Sequence, residues 1–181
     1  MAHKETLSSL TQGNFARELS ISDGKMPPNA VDFERLVIGT FLIDKKGLDH
    51  SIDLLTPEVF YDPRHQVIFR TILKLYEGNL PVDIMTIIQD LKKEEKLNLA
   101  GGDHYIIELT MGVSSSAHIE YHVRVILEKY ILRSLINVSA NVIDSSYKES
   151  TDVFELLDKA EQSFFEITNG TIKKGFDTAN T

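Results

Sequence analysis

The spacing of apolar residues along the chain predicts helices and no strands. Between residues 30 and 111, apolar positions recur at three- and four-residue intervals in short runs, and turn-forming residues separate the runs. Polar and apolar residues do not alternate anywhere over a stretch long enough to indicate a strand. The predicted fold class is therefore all-α, with helices over 30–43, 48–55, 65–76, 84–95 and 103–111.

A much longer helix is predicted from Ser115 to Ser146, because this stretch contains no glycine or proline. At a rise of 1.5 Å per residue it is about 45 Å long, whereas a domain of about 100 residues has a radius of gyration near 13 Å. Asp152, with Glu155 three residues later, then indicates the capped start of a second helix that ends at Asn169-Gly170. The two helices form a predicted antiparallel hairpin that protrudes.

This pattern divides the chain into four expected segments. Residues 1–26 are polar and dotted with Gly and Ser, which indicates a mobile N-terminal arm. Residues 27–112 are expected to form a small globular helical bundle, and residues 113–170 the hairpin. Residues 171–181 resemble the start of a linker.

The long helix carries more apolar surface than the short one can cover. One stripe contains Tyr121, Val125, Leu132, Ile136, Ala140, Ile143 and Tyr147, and a second contains Leu127, Ile131, Leu135, Val138 and Val142. The short helix has one main stripe, Val153, Leu156, Leu157, Ala160, Phe164 and Ile167, with Phe154 and Phe165 to one side. The leftover stripe predicts an interface, either with another copy of the chain or with a different protein. The candidate interface residues on the hairpin are Leu127, Ile131, Leu135, Ile136, Val138, Val142, Phe154 and Phe165. The alternative is that the hairpin folds back on the bundle and buries both stripes.

Composition narrows the functional classes. The formal net charge is −8 and no cluster of Lys and Arg stands out, which argues against a domain that tracks nucleic-acid phosphates. The absence of cysteine excludes disulfides, thiolate metal sites and thiol nucleophiles. No apolar run approaches the roughly 18 residues of a membrane span, and the N-terminus does not resemble a secretory signal, so a cytoplasmic location is expected.

The stretch HIEYH at 118–122 is the one candidate for metal chemistry. His118 and His122 lie on one helix face and could chelate a metal ion, which would make a metal-dependent hydrolase the enzyme-class alternative. Glu120, however, lies on the opposite side of that helix and cannot act on a bound water as the glutamate of HExxH does. No phosphate-binding G-x-x-x-x-G-K-[ST] and no G-x-S-x-G is present. No catalytic, cofactor-binding or metal-binding residue is predicted.

Six segments, in order, resemble one family. They are PPNAVDFERLVIG (27–39), TPEVFYDPRHQVIF (56–69), PVDIMTIIQDLKK (81–93), LAGGDHYIIEL (99–109), SSAHIEYHVRVILEKYILRSLI (115–136) and LLDKAEQSFFEI (156–167). Together they resemble the N-terminal domain of the bacterial replicative DNA helicase, the DnaB-like family. The sequence departs from the family's pattern at Ser115, His118 and His122, which weakens the metal hypothesis further.

The resemblance implies a role in the bacterial replisome without catalysis by this fragment. In that family such domains form a collar on a hexameric ring, and a linker joins each to a RecA-like motor that uses ATP and Mg. The collar docks the C-terminal helicase-binding domain of primase, and a helicase loader is a further partner that the resemblance allows. Tyr105, Ile136 and Val142 fall where the primase-contacting surface is expected. A primase-type helicase-binding domain, which has a similar bundle and hairpin, is the nearest alternative.

Overall fold

The computed structural model describes residues 25–113 and 117–169, and this part of the chain contains helices and turns but no strand. Seven α-helices follow one another in the described residues: α1 Val31–Ile43, α2 Lys45–Ser51, α3 Pro63–Glu77, α4 Ile84–Lys93, α5 Gly102–Met111, α6 Ile119–Ser146 and α7 Val153–Ile167. Two 3₁₀ turns, Ile52–Leu54 and Pro57–Val59, connect α2 to α3. The all-α prediction is therefore confirmed. The expected N-terminal arm and C-terminal linker lie almost wholly outside the described residues.

Aspartates start four of the seven helices. The side chains of Asp44, Asp62, Asp83 and Asp152 accept hydrogen bonds from backbone N–H groups in the first turns of α2, α3, α4 and α7. Each carboxylate satisfies an N–H that has no partner inside its helix, and its charge also interacts favourably with the helix dipole. The cap predicted at Asp152 is confirmed.

The first compact unit spans residues 29–130 and has a continuous apolar core. Its largest fully buried side chains include Phe41, Phe60 and Phe69, and the rings of Phe60 and Phe69 lie 4.8 Å apart between centroids. This core also contains residues from the beginning of α6, namely Ile119, Val123, Ile126 and Leu127. The expected bundle boundary at residue 112 is therefore too early, because the first three turns of the long helix supply part of the core.

The second compact unit contains the outer part of α6 and all of α7. The turn between these helices is held by Thr151, whose hydroxyl donates to the carbonyl oxygen of Ser145 at 2.7 Å. In the same unit, the guanidinium of Arg133 donates to the carbonyl oxygen of Pro28 at 2.9 Å. This unit is a helical hairpin, and none of the residues of α7 is fully buried in the chain.

Helix α1 approaches α5 so closely that one position on α1 must lack a side chain. A Cβ added at Gly39 would lie 2.1 Å from the carbonyl oxygen of Leu109 and 2.7 Å from Val113 Cγ2. Both contacts are far inside the van der Waals limit, and the first is with backbone, which cannot rotate away.

Gly39→Ala is expected to lower the free energy of unfolding by about 2–3 kcal/mol, because α1 and α5 must separate to admit the methyl group. For a chain of this size that corresponds to a fall of about 5–10 °C in melting temperature. Gly112→Ala is the matched control, because a Cβ there meets nothing within 4 Å. Thermal unfolding followed by circular dichroism distinguishes the two variants, and equal melting temperatures would contradict the close approach.

A network of ion pairs joins α3 to the end of α4. Lys74 Nζ lies 2.9 Å from a carboxylate oxygen of Asp90 and 2.5 Å from Glu94 Oε1, and Lys96 Nζ lies 2.7 Å from Glu94 Oε2. The hydrogen bonds from Lys74 and then Lys96 lower the pKa of Glu94 to about 2. Because the pKa in the folded state is lower than in the unfolded state, this interaction favours folding above pH 4.5 and is lost as the pH falls toward 2.

Glu94→Gln is expected to lower the melting temperature by about 1–3 °C near neutral pH, since exposed pairs of this kind contribute little in water. The difference from the unmodified chain should shrink as the pH falls from 4.5 toward 2, and it should also shrink in high salt. Melting curves across this range test the prediction, and a difference that is independent of pH would contradict it.

Candidate interaction surfaces

The two hairpin helices face each other across a groove. Val138 and Val142 of α6 line it on one side, and Leu156 and Ala160 of α7 line it on the other. All four side chains are half-buried. Val138 and Val142 belong to the second stripe of the long helix and are candidate interface residues, and the structure directs both toward the short helix while other apolar residues stay exposed.

Three of the exposed apolar residues of the hairpin lie in one row on α7. Val153, Leu157 and Phe164 are 66%, 60% and 41% exposed, although the sequence pattern places them in the stripe that packs inward. They lie at i, i+4 and i+11, with the half-buried Ala160 at i+7, so the four residues form one row along the helix. We call this row the apolar row. The half-buried face of α7 consists of Leu156, Ala160, Ser163 and Ile167. Because this face takes the inward direction, the apolar row, which shares only Ala160 with it, points to the flank of the hairpin.

The other predicted interface residues differ widely in exposure. Phe154 and Phe165 are 79% and 66% exposed on α7. The remaining hairpin residues, Ile131, Leu135 and Ile136, are half-buried. Leu127 is buried in the core of the first unit. Their assignment to an interface stays a prediction.

Tyr105, the remaining predicted interface residue, is the outer member of a buried polar network. Its hydroxyl lies 2.7 Å from His65 Nε2, and His65 Nδ1 lies 2.7 Å from Glu34 Oε2. Glu34 Oε1 also accepts from the backbone N–H of Tyr61 at 2.7 Å. Because a carboxylate only accepts, Nδ1 donates to Glu34, and in the tautomer with the proton on Nδ1 the Nε2 atom accepts from the Tyr105 hydroxyl. The network links α1, α3 and α5.

Two arginines cover the ring of Tyr105. The guanidinium carbon of Arg64 lies 4.1 Å from the ring centroid and that of Arg35 lies 5.6 Å from it, both within the range of cation–π attraction. Arg64 is paired with Asp62 at 2.6 Å, and Arg35 with Glu108 at 2.8 Å. Burial raises the pKa of the Tyr105 hydroxyl. A partner that approached this surface would therefore meet the arginines and only the edge of the ring.

Sequence reasoning missed Glu34 and His65, which are 1% and 0% exposed. A signal was present, because each interrupts a buried helical face. Glu34 precedes Val37, Ile38 and Phe41 at helical spacing on α1, and His65 precedes Ile68, Phe69 and Ile72 on α3. A polar residue inside such a pattern indicates a buried partner, but the sequence gives no indication of which one.

The histidines of HIEYH do not form a metal site with other residues of the described chain. Glu120 is paired instead with His50, at 2.6 Å. The ring of His122 lies edge-on to Phe33, with centroids 5.4 Å apart. Burial and the neighbouring His118 lower the pKa of His122. Within the described ranges, no three His, Cys, Asp or Glu side chains are grouped so that they could hold a metal ion.

The same ranges contain no helix with the length and apolar content to span a membrane.

Comparison with known proteins gives consistent matches. Residues 26–128 match the family model of the DnaB-like helicase N terminal domain. The replicative DNA helicase DnaB of Rhodothermus marinus is 40% identical over 157 residues, which are 87% of this chain and 17% of the relative. The replicative DNA helicase DnaB of Geobacillus stearothermophilus is 32% identical over 144 residues, which are 80% of this chain and 32% of the relative. The chain therefore spans about a third or less of these relatives.

Two solved structures share the fold. The crystal structure of the N-terminal domain of DnaB helicase from Mycobacterium tuberculosis superposes with a TM-score of 0.73 at 30% identity, covering 78% of this chain and 99% of that one. The structure of a DnaB-like replicative helicase and its interactions with primase superposes with a TM-score of 0.61 at 23% identity, covering 82% of this chain and 34% of that one. The first match confirms the resemblance derived from the six segments.

Tyr105→Phe is expected to lower the free energy of unfolding by about 1–2 kcal/mol, because the buried Nε2 of His65 loses its hydrogen-bond partner. Tyr121→Phe removes the same hydroxyl from a ring that is exposed, and it is expected to have almost no effect. Urea unfolding of the two variants beside the unmodified chain tests the network. If both variants are as stable as the unmodified chain, the hydrogen bond to His65 does not contribute.

Proposed function

The chain belongs to the DnaB-like helicase N-terminal domain family, and from this premise we propose that it serves as the collar domain of a hexameric replicative DNA helicase. In this role it associates with further copies of itself and docks primase during bacterial DNA replication. The observation that carries the proposal is the exposed apolar surface of a hairpin in a chain of this family. The match of residues 26–128 to the helicase family model favours this role over the alternative of a primase-type helicase-binding domain.

Self-association is supported by the apolar row of α7. Val153 and Leu157 are more than half exposed and Phe164 is 41% exposed, and α6 adds the exposed Leu132 and Ile143. Burial of apolar surface gains about 25 cal/mol per Å², so several such side chains contribute a few kcal/mol to association before its entropic cost is subtracted. A row that contains no charge also suits a symmetric contact, because each residue can meet its own counterpart without opposing like charges.

Primase docking is supported by two observations of different kinds. One relative that shares this fold is a DnaB-like replicative helicase whose structure was determined together with its interactions with primase. The predicted contact residues Ile136 and Val142 are half-buried on the hairpin and retain some accessible surface. Tyr105 would act mainly through Arg35 and Arg64, which cover its ring.

ATP hydrolysis is assigned to the part of the relatives that lies outside their alignment with this chain. The relatives extend beyond the aligned region by about two thirds of their length or more. We place the RecA-like motor, with its ATP and Mg²⁺, in that remainder, and we assign no catalysis to residues of this chain. The protein would act in the bacterial cytoplasm, where a helicase loader is a further candidate partner.

Leu157→Asp is expected to weaken self-association at least about tenfold, because it places a charge in the middle of the apolar row. Gln162→Asp adds the same charge on the opposite side of α7 and is the matched control. Light scattering on a sizing column over a concentration series measures both variants, first alone and then with the C-terminal domain of the same organism's primase. Helicity by circular dichroism should be unchanged, because both positions are exposed.

Two outcomes would count against the proposal. A chain that stays monomeric at every concentration and does not elute with the primase domain lacks both functions. Equal loss of association in Leu157→Asp and Gln162→Asp would show that added charge, and not the apolar row, is responsible.

A further inference from the structure

A second row on α7 differs from the apolar row in its chemistry. Phe154, Asp158, Glu161 and Phe165 lie at i, i+4, i+7 and i+11, the same spacing as Val153, Leu157, Ala160 and Phe164. At 100° per residue all four fall within a sector of about 60°, and the two phenylalanines are about 16 Å apart along the axis. All four side chains are exposed. We call these residues the mixed row.

The phenylalanines of the mixed row are the most conspicuous exposed side chains of the helix. Phe154 and Phe165 have the largest exposed fractions among the aromatic residues of α7, and in the described structure neither ring is packed against another aromatic ring. Two exposed phenylalanines that flank a polar centre are typical of a binding surface, because aromatic anchors contribute most of the energy of protein interfaces.

The carboxylates between the phenylalanines decide which partner fits. Lys159 pairs with Glu155, and Gln162 donates to Glu166, both on the neighbouring face of α7, about 100° around the helix from the mixed row. Within the described chain, Asp158 and Glu161 have no ion pair. Two copies that met through this row around a two-fold axis would place four carboxylates near that axis, at an electrostatic cost. Lysine or arginine side chains opposite these positions would instead neutralise them, and they could also interact with the phenylalanine rings.

We propose that the mixed row docks a basic amphipathic helix of a different protein, whose apolar residues cover Phe154 and Phe165 and whose lysines or arginines pair with Asp158 and Glu161. The apolar row beside it remains available to a second copy of the chain. This inference rests on the proposed docking function, and it adds the chemistry of one partner and the side of α7 that receives it.

The test uses the full chain and a synthetic helical peptide with lysines on one face and leucines on the other. Binding is measured by fluorescence anisotropy of the labelled peptide at low and at high salt. Asp158→Asn with Glu161→Gln is expected to weaken binding about tenfold at low salt. Glu155→Gln with Glu166→Gln removes the same charge from the neighbouring face, about 100° around the helix, and is expected to change binding less than twofold. A peptide with glutamates in place of the lysines should not bind.

A second double variant, Phe154→Ala with Phe165→Ala, tests the aromatic anchors separately. It is expected to weaken binding of the lysine peptide about tenfold or more while circular dichroism stays unchanged. Equal weakening by the two charge variants would mean that the peptide responds to the net charge of the chain, which overturns the proposal. Tighter self-association of Asp158→Asn with Glu161→Gln in light scattering would assign the row to a second copy, which also overturns it.

These results are distinguishable from failure of the proposed function. A chain that self-associates and elutes with the primase domain, but shows no selective loss of peptide binding in Asp158→Asn with Glu161→Gln, keeps its proposed function and lacks only the basic-helix site.

Discussion

The close approach of α1 to α5 is the constraint on which the first compact unit depends. At Gly39 the helix backbone meets the carbonyl oxygen of Leu109 with no room for a side chain between them. Five residues earlier on α1, Glu34 carries a carboxylate into the core, where a buried charge is costly unless donors surround it. The backbone of Tyr61 and the ring of His65 supply these donors, and His65 in turn binds Tyr105 of α5. Helix α1 is therefore fixed at two levels, by steric fit and by polar pairing, and both involve α5.

This arrangement gives Tyr105 a structural role in addition to any role at the surface. An aromatic residue that follows a glycine pair by three positions is easily interpreted as a surface contact. In the structure its hydroxyl satisfies a buried histidine, while Arg35 and Arg64 lie over its ring. Tyr105 thus contacts the core through its hydroxyl and the surface arginines through its ring. A substitution there would alter stability as well as any partner contact, so loss of binding in such a variant does not by itself identify an interface.

The hairpin is governed by a different constraint, the limited surface that two helices can bury in each other. Each helix turns only part of its circumference toward its neighbour, and α7 uses Leu156, Ala160, Ser163 and Ile167 for this purpose. Its larger apolar side chains are left on the flank and on the outer side, where solvent or a partner must cover them. On α7 the two rows share one spacing and differ in charge. Under the proposed docking, this difference would let one helix discriminate between a copy of itself and a basic partner.

Local sequence patterns were enough to predict the helices, most of their ends and the family. Helical periodicity and capping aspartates are local properties, and they identify an element without knowledge of its neighbours, as Asp83 and Asp152 illustrate. Which helix faces pack against a neighbour became known from the three-dimensional structure alone. Periodicity placed Val153, Leu157 and Phe164 in the inward stripe, and the structure turns them outward, because the direction of an amphipathic face is set by the helix beside it. The pairing of Glu34 with His65 and the fit of Gly39 against Leu109 could not be predicted from the sequence for the same reason. Each depends on a residue far along the chain: His65 lies 31 positions from Glu34, and Leu109 lies 70 positions (109 − 39) from Gly39.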